Sequence, residues 1–141
     1  MTKLATFKMK AVLENVPRAM TCVREAAQAT GLDERALYQI ELAVDEACAN
    51  IVQHAYQGTK QGDMEISCYQ ETHRFVIRIR DWGRSFDPEA VPDPDVEAPL
   101  EDRNLGGLGL FLIRQFMDDV QFTFDPVEGN ELVMVKKLGG E

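Results

Sequence analysis

The chain has 141 residues, 45% hydrophobic and 28% charged, ordinary globular usage with room for a real core and not the composition of a disordered tail. Lysine and arginine number 15 against 24 aspartates and glutamates, giving a net charge of −9. That balance argues against a nucleic-acid or anionic-membrane surface, although it leaves room for a local basic patch.

The N-terminal run Met1-Thr2-Lys3-Leu4-Ala5-Thr6-Phe7-Lys8 lacks the apolar centre of a signal peptide, and no stretch approaches membrane-spanning length. Within it and just beyond, Phe7, Met9 and Ala11 alternate with Lys8 and Lys10, the period of a half-buried strand. Pro17 suits the first turn of a helix over 18–30 that Gly31 can end. Asp33 can cap a second helix, whose apolar stripe is Leu37, Ile40, Val44, Ala47, Cys48 and Ile51 and which should run to about Tyr56 before Gln57-Gly58. Cys22, Cys48 and Cys68 each fall in an apolar pattern without CxxC or Cys/His ligand spacing. Buried, reduced thiols in a cytosol follow, and a soluble cytoplasmic domain is expected.

On the second helix Glu46, Asn50 and His54 recur at steps of four. Each step advances roughly 40° around an α-helix, so the three side chains form one polar stripe. A stripe of this kind is also the ordinary wet face of an amphipathic helix. Asparagine is a mediocre helix former, so its place in mid-helix is informative. Its amide oxygen can join phosphate oxygens and waters around an octahedral Mg²⁺, and Glu46 could then take a proton from an attacking hydroxyl or water.

A strand carrying Met64, Ile66 and Cys68 on one face follows, and the next, over 74–80, puts Phe75, Ile77 and Ile79 opposite Val76, Arg78 and Arg80. The period of two aims Asp81 to the same side as Ile79, where a carboxylate is costly unless hydrogen-bonded. Asp81-Trp82-Gly83-Arg84-Ser85-Phe86 reads either as a strand end with a glycine turn or as a carboxylate awaiting a ligand's amino group. Gly83 would let a ring approach the backbone. An adenine N6 amino group suits that geometry, as other amino groups would.

Over 87–104 the periodicity disappears, and Pro88, Pro92, Pro94 and Pro99 rule out a regular helix. Long loops of this kind are lids, binding loops or disordered segments. Gly107-Leu108-Gly109 then opens a helix carrying Leu110, Phe111, Ile113, Phe116 and Met117. The paired glycines are either a plain loop or a phosphate-binding helix start; they complete neither a P-loop nor GxGxxG. Two closing strands, around Phe122-Thr123-Phe124 and Leu132 to Val135, should form a hairpin through Pro126-Val127-Glu128-Gly129-Asn130. The sum is an α+β fold: a two-layer α/β sandwich with a mixed, mostly antiparallel sheet and helices on one face, as a single domain over 1–141 without internal repeat.

Taken in order, these parts resemble the GHKL (Bergerat-fold) ATPases. Residues 46–50 match their N box, Asp81-Trp82-Gly83-Arg84-Ser85-Phe86 the first glycine box and Gly107-Leu108-Gly109 the second, with an ATP lid at about 87–105. Within that superfamily, Glu46-Ala47-Cys48-Ala49-Asn50-Ile51-Val52-Gln53-His54-Ala55-Tyr56 and Gly107-Leu108-Gly109-Leu110-Phe111-Leu112-Ile113-Arg114-Gln115-Phe116-Met117-Asp118 are most similar to anti-sigma-factor serine kinases. The length, without phosphoacceptor-histidine helices, fits a stand-alone kinase of that kind.

The resemblance implies a set of roles. Glu46 is the general base on a substrate serine, and Asn50 coordinates Mg²⁺. Asp81 holds the adenine amino group, partly through water, while Gly83 and Phe86 shape the base pocket. Gly107, Leu108 and Gly109 bind the phosphates of ATP or ADP, and Arg103 stands for the lid arginine. His54 occupies a position the subfamily shares, with packing under the lid as open as ligand contact. The implied partners are a STAS-type anti-anti-sigma protein as substrate, a sigma factor, met near Arg18 and Arg24, and a second copy in a homodimer. One departure stands out: Gly129-Asn130-Glu131 replaces the usual Gly-Thr, so the hydroxyl that supports the adenine-binding aspartate is missing. Two other readings stay open, a nucleotide-sensing GHKL module without kinase activity and a detached histidine-kinase catalytic domain. A eukaryotic-type kinase is excluded, since its lysine strand and HRD loop are absent.

Overall fold

The chain runs β1 (Thr2–Lys10), α1 (Val16–Gln28), α2 (Glu34–Asn50), β2 (Asp63–Glu71), β3 (Arg74–Asp81), α3 (Leu105–Phe116), β4 (Asp119–Asp125) and β5 (Gly129–Lys137). This computed structural model describes residues 1–56, 62–84 and 105–139, with 105–108 described by their backbone alone. Phe86, Arg103 and the expected lid up to residue 104 lie outside the described residues.

The five strands form one sheet in the order β1-β2-β3-β5-β4. All four ladders are antiparallel, so the expected mixed, mostly antiparallel sheet is antiparallel throughout its described pairings. Register follows the alternation in the sequence. Phe7, Ile66, Ile79, Leu132 and Phe122 lie side by side across the strands, as do Met9, Met64, Asp81, Asn130 and Phe124. That face meets the helices: Ile40, Val44 and Cys48 of α2 and Val23 of α1 share a buried cluster with Ile66, Phe75, Ile77, Ile79 and Met134. Each large side chain fully buried there contributes about 1.5–3 kcal/mol over leaving it in water. The result is the expected two-layer sandwich. Among the described residues, no helix is long and apolar enough to cross a membrane.

Local chemistry sets the element ends. Asp33 accepts the Ala36 N–H at 2.9 Å, capping α2 as its position suggests. Helix α1 ends at Gln28, ahead of the expected residue 30, because the Thr30 hydroxyl donates to the Ala27 carbonyl at 2.6 Å and turns the chain. Arg24 is committed to Glu34 and Glu41 of α2, so its charge ties the two helices together and is not presented free to a partner. Burial pushes the Cys48 and Cys68 thiols up to about 12, which keeps both protonated.

Helix α2 does continue toward Tyr56, but its final turn is a π-turn over Ile51–Ala55. The Tyr56 N–H reaches back five residues to the Ile51 carbonyl at 3.1 Å. This extra residue ends the step-of-four stripe after Asn50, and His54 is exposed.

Candidate functional site

A narrow cleft opens between the two layers. Ile79 of β3, Ile113 of α3 and Phe122 and Phe124 of β4 give it apolar walls, and the polar side chains on it include Asn50, Asp81 and Asn130. Such a slot, apolar with a few fixed polar groups, suits a flat heterocycle. Phe122 and Phe124 sit two apart on β4, so both point inward, with ring centroids 6.3 Å apart.

The carboxylate of Asp81 ends β3 on the buried face, 7% exposed, as the period of two anticipates. Its Oδ1 accepts the Gly83 N–H and the Asn130 side-chain amide, each at 2.9 Å. Burial raises its pKa, and the bonds from Asn130 and then Gly83 pull it back down. Asn130 stands directly opposite Asp81 in the β3–β5 ladder. The support expected from a threonine hydroxyl is thus supplied by an amide. Sequence reasoning saw a missing group because it compared residue types; the pairing register is what places a replacement donor.

Gly83 lies against the end of α2. A Cβ built on it would stand 2.4 Å from the Ala55 carbonyl oxygen, the same oxygen that accepts the Arg84 N–H at 2.7 Å. Only glycine lets the β3 end and the π-turn approach this closely. Gly83→Ala should therefore cost about 1–3 kcal/mol through forced backbone shifts; an unchanged urea midpoint would show that the contact yields freely.

A second tie passes unmarked in the sequence. The Tyr56 hydroxyl donates to the Asp63 carbonyl at 2.7 Å and accepts the Trp82 N–H at 2.9 Å. Tyr56 thus pins the beginning of β2 and the residue after β3 beneath the end of α2.

Farther along α2, Glu46 and Asn50 converge on α3. A Cβ built on Gly109 would come within 2.8 Å of Glu46 Oε2, 3.6 Å of Asn50 Nδ2 and 3.7 Å of Asn50 Oδ1. Gly109 is buried, and its missing side chain is the space the Glu46 carboxylate occupies. Burial raises the pKa of Glu46, and the neighbouring Asp45 charge adds to it. A raised carboxyl pKa moves a base toward neutral operating pH. Helix α3 starts at Leu105, so the glycines fall inside its first turns and not ahead of it. The backbone N–H group of Gly107 belongs to the first turn, whose donors have no partner within the helix.

The predicted residues thus divide. Asn50 and Asp81 line the cleft, with Gly83 bonded to Asp81, and Glu46 meets Gly109 beside Asn50. His54 does not line the cleft, because the π-turn rotates it away to solvent.

Comparison with known proteins agrees with this architecture. Residues 9–136 match the model of the histidine kinase-like ATPase domain. The chain is 33% identical over 137 residues to the serine-protein kinase RsbW of Listeria monocytogenes serovar 1/2a, covering 94% of this chain and 86% of that protein. It is 34% identical over 138 residues to the RsbW of Bacillus cereus, with 95% and 84% covered. Identity rises to 41% over 103 residues with the RsbW of Halalkalibacterium halodurans, with 70% and 61% covered.

Proposed function

The chain belongs to the histidine kinase-like ATPase domain family and is a serine-protein kinase, and on that premise we propose that it transfers the γ-phosphoryl group of ATP to a serine of a STAS-type anti-anti-sigma protein and binds a sigma factor. In this reading the base stacks between the apolar walls of the cleft and its amino group donates a hydrogen bond to Asp81. Gly83 and Phe86 complete the base pocket. The phosphates lie over the first turn of α3 at Gly107, Leu108 and Gly109, with Arg103 reaching them from the lid.

Glu46 carries the proposal, because a half-buried carboxylate set against Gly109, with its pKa raised, is what a base needs and a protein that only binds nucleotide does not. It accepts the proton of the substrate serine as the hydroxyl attacks the γ-phosphorus. Asn50 fits a Mg²⁺ site: this cation keeps several waters and needs few protein oxygens beyond those of the phosphates. When bound, the ion offsets the negative charge of the phosphate chain. A homodimer acting in the cytoplasm is part of the same proposal, and light scattering would measure the assembly.

Incubation with Mg-ATP and a cognate STAS protein tests the activity. Acid-stable phosphoserine is expected. Acid-labile label would turn the assignment to a histidine kinase, and nucleotide binding without transfer to a regulatory module. Asn130 weakens the case for that module, since the aspartate support it was thought to lack is present.

A further inference from the structure

Asn130 does more than occupy a vacant position. It is 9% exposed, and its side-chain nitrogen lies 2.9 Å from Asp81 Oδ1 and 3.0 Å from the Gly83 carbonyl oxygen. Both neighbours are acceptors, so the amide can be oriented only one way, with its nitrogen toward them. Both amide protons are then used. Asp81 Oδ1 also receives the Gly83 N–H at 2.9 Å, so this oxygen holds two donors. Among the described residues nothing donates to Oδ2, and Asp81 lines the cleft. What the Asn130 amide has left is its own oxygen.

We propose that Asn130 is a positioning residue that locks the Asp81 carboxylate with Oδ2 toward the ligand, so that Asp81 and Asn130 together offer it acceptors alone. The site then selects a purine by its exocyclic 6-amino group, a donor, and Asn130 cannot donate to the ring nitrogen beside it. A single hydroxyl at this position has one proton and could hold Asp81 or the Gly83 carbonyl, not both. Without any donor at position 130, the Gly83 N–H alone holds Asp81 Oδ1, and the carboxylate can swing about that single bond, so the base has a less fixed partner. This inference rests on the nucleotide reading above and adds to it the residue that makes the base selective.

Binding of Mg-ATP and of Mg-purine riboside triphosphate, which lacks the 6-amino group, separates positioning from plain packing. The wild type should prefer ATP by about tenfold to a hundredfold, the effect of one charge-assisted hydrogen bond. In Asn130→Ala the preference should fall to about threefold or less, with ATP affinity dropping and analogue affinity nearly constant. The isosteric pair Asn130→Thr and Asn130→Val gives the same answer if the alanine variant does not fold. Threonine keeps one proton for Asp81 and should retain a preference within about threefold of wild type, and valine should lose it. A preference that stays unchanged in Asn130→Ala or Asn130→Val, with both nucleotides weakened in parallel, overturns the role of Asn130 while leaving the nucleotide site intact. If the wild type binds neither nucleotide, the site itself is wrong and the inference falls with it.

Discussion

Glu46→Gln is expected to slow serine phosphorylation by about a hundredfold to ten-thousandfold, the range of a positioned general base, with ATP affinity held within a few-fold. Glutamine keeps the volume and leaves the fit against Gly109 undisturbed, so what is lost is the ability to accept a proton. Glu46→Ala should match it in rate while opening space beside Gly109. The pH profile supplies an independent check. Burial, reinforced by Asp45, holds the Glu46 carboxyl above its usual range, and only the ionised form is a base. The wild-type rate should therefore rise with pH through a carboxyl titrating higher than an ordinary glutamate, and Glu46→Gln should abolish that limb. Equal labelling by wild type and both variants would remove Glu46 from the chemistry.

Asp81→Asn should weaken ATP binding by about a hundredfold, equivalent to ~2.7 kcal/mol. The new amide oxygen can still accept from Gly83 and Asn130, which places its NH₂ where Oδ2 was. An acceptor facing the ligand becomes a donor facing a donor. The same substitution should stabilise the empty protein at neutral pH. Burial raises the Asp81 pKa in the fold, so its favourable contribution is complete below the unfolded carboxyl pKa and is lost as pH rises through the raised folded value. At neutral pH the wild type bears the cost of a buried charge, and the asparagine variant does not. Melting temperatures should accordingly favour Asp81→Asn at pH 7, and the gap should close in acid. Calorimetric titration that finds wild-type ATP affinity in Asp81→Asn would dismiss the base contact altogether.

Much of this arrangement was legible in the residues themselves. Alternation in β3 placed Asp81 on the core face before any partner was known, because strand period leaves a side chain only two directions. Asp33 and Pro17 announced the starts of their helices through the backbone donors that helix ends leave unpaired. Two features were hidden for physical reasons. The π-turn depends on one hydrogen bond reaching back from Tyr56 to Ile51 instead of Val52, a choice without a composition signature, and it removed His54 from the stripe. Asn130 was hidden because its meaning lies in strand register, which sets Asp81 opposite it across 49 positions of sequence. The roles assigned to Phe86 and Arg103 rest on resemblance alone.

The π-turn has a consequence for length. Its terminal carbonyl, at Ala55, is bonded to Arg84 and pressed against Gly83, so the end of α2 is tied to the end of β3 that carries Asp81. Glu46 lies on the same rod, nine residues back and roughly 13 Å away at helical rise. In the proposed reading, one helix therefore fixes the separation between the place where the base would be gripped and the place where a proton would be collected. It serves as a ruler. A nucleotide with one phosphate too many or too few would be gripped as firmly, yet its terminal phosphorus would lie off the mark that Glu46 defines.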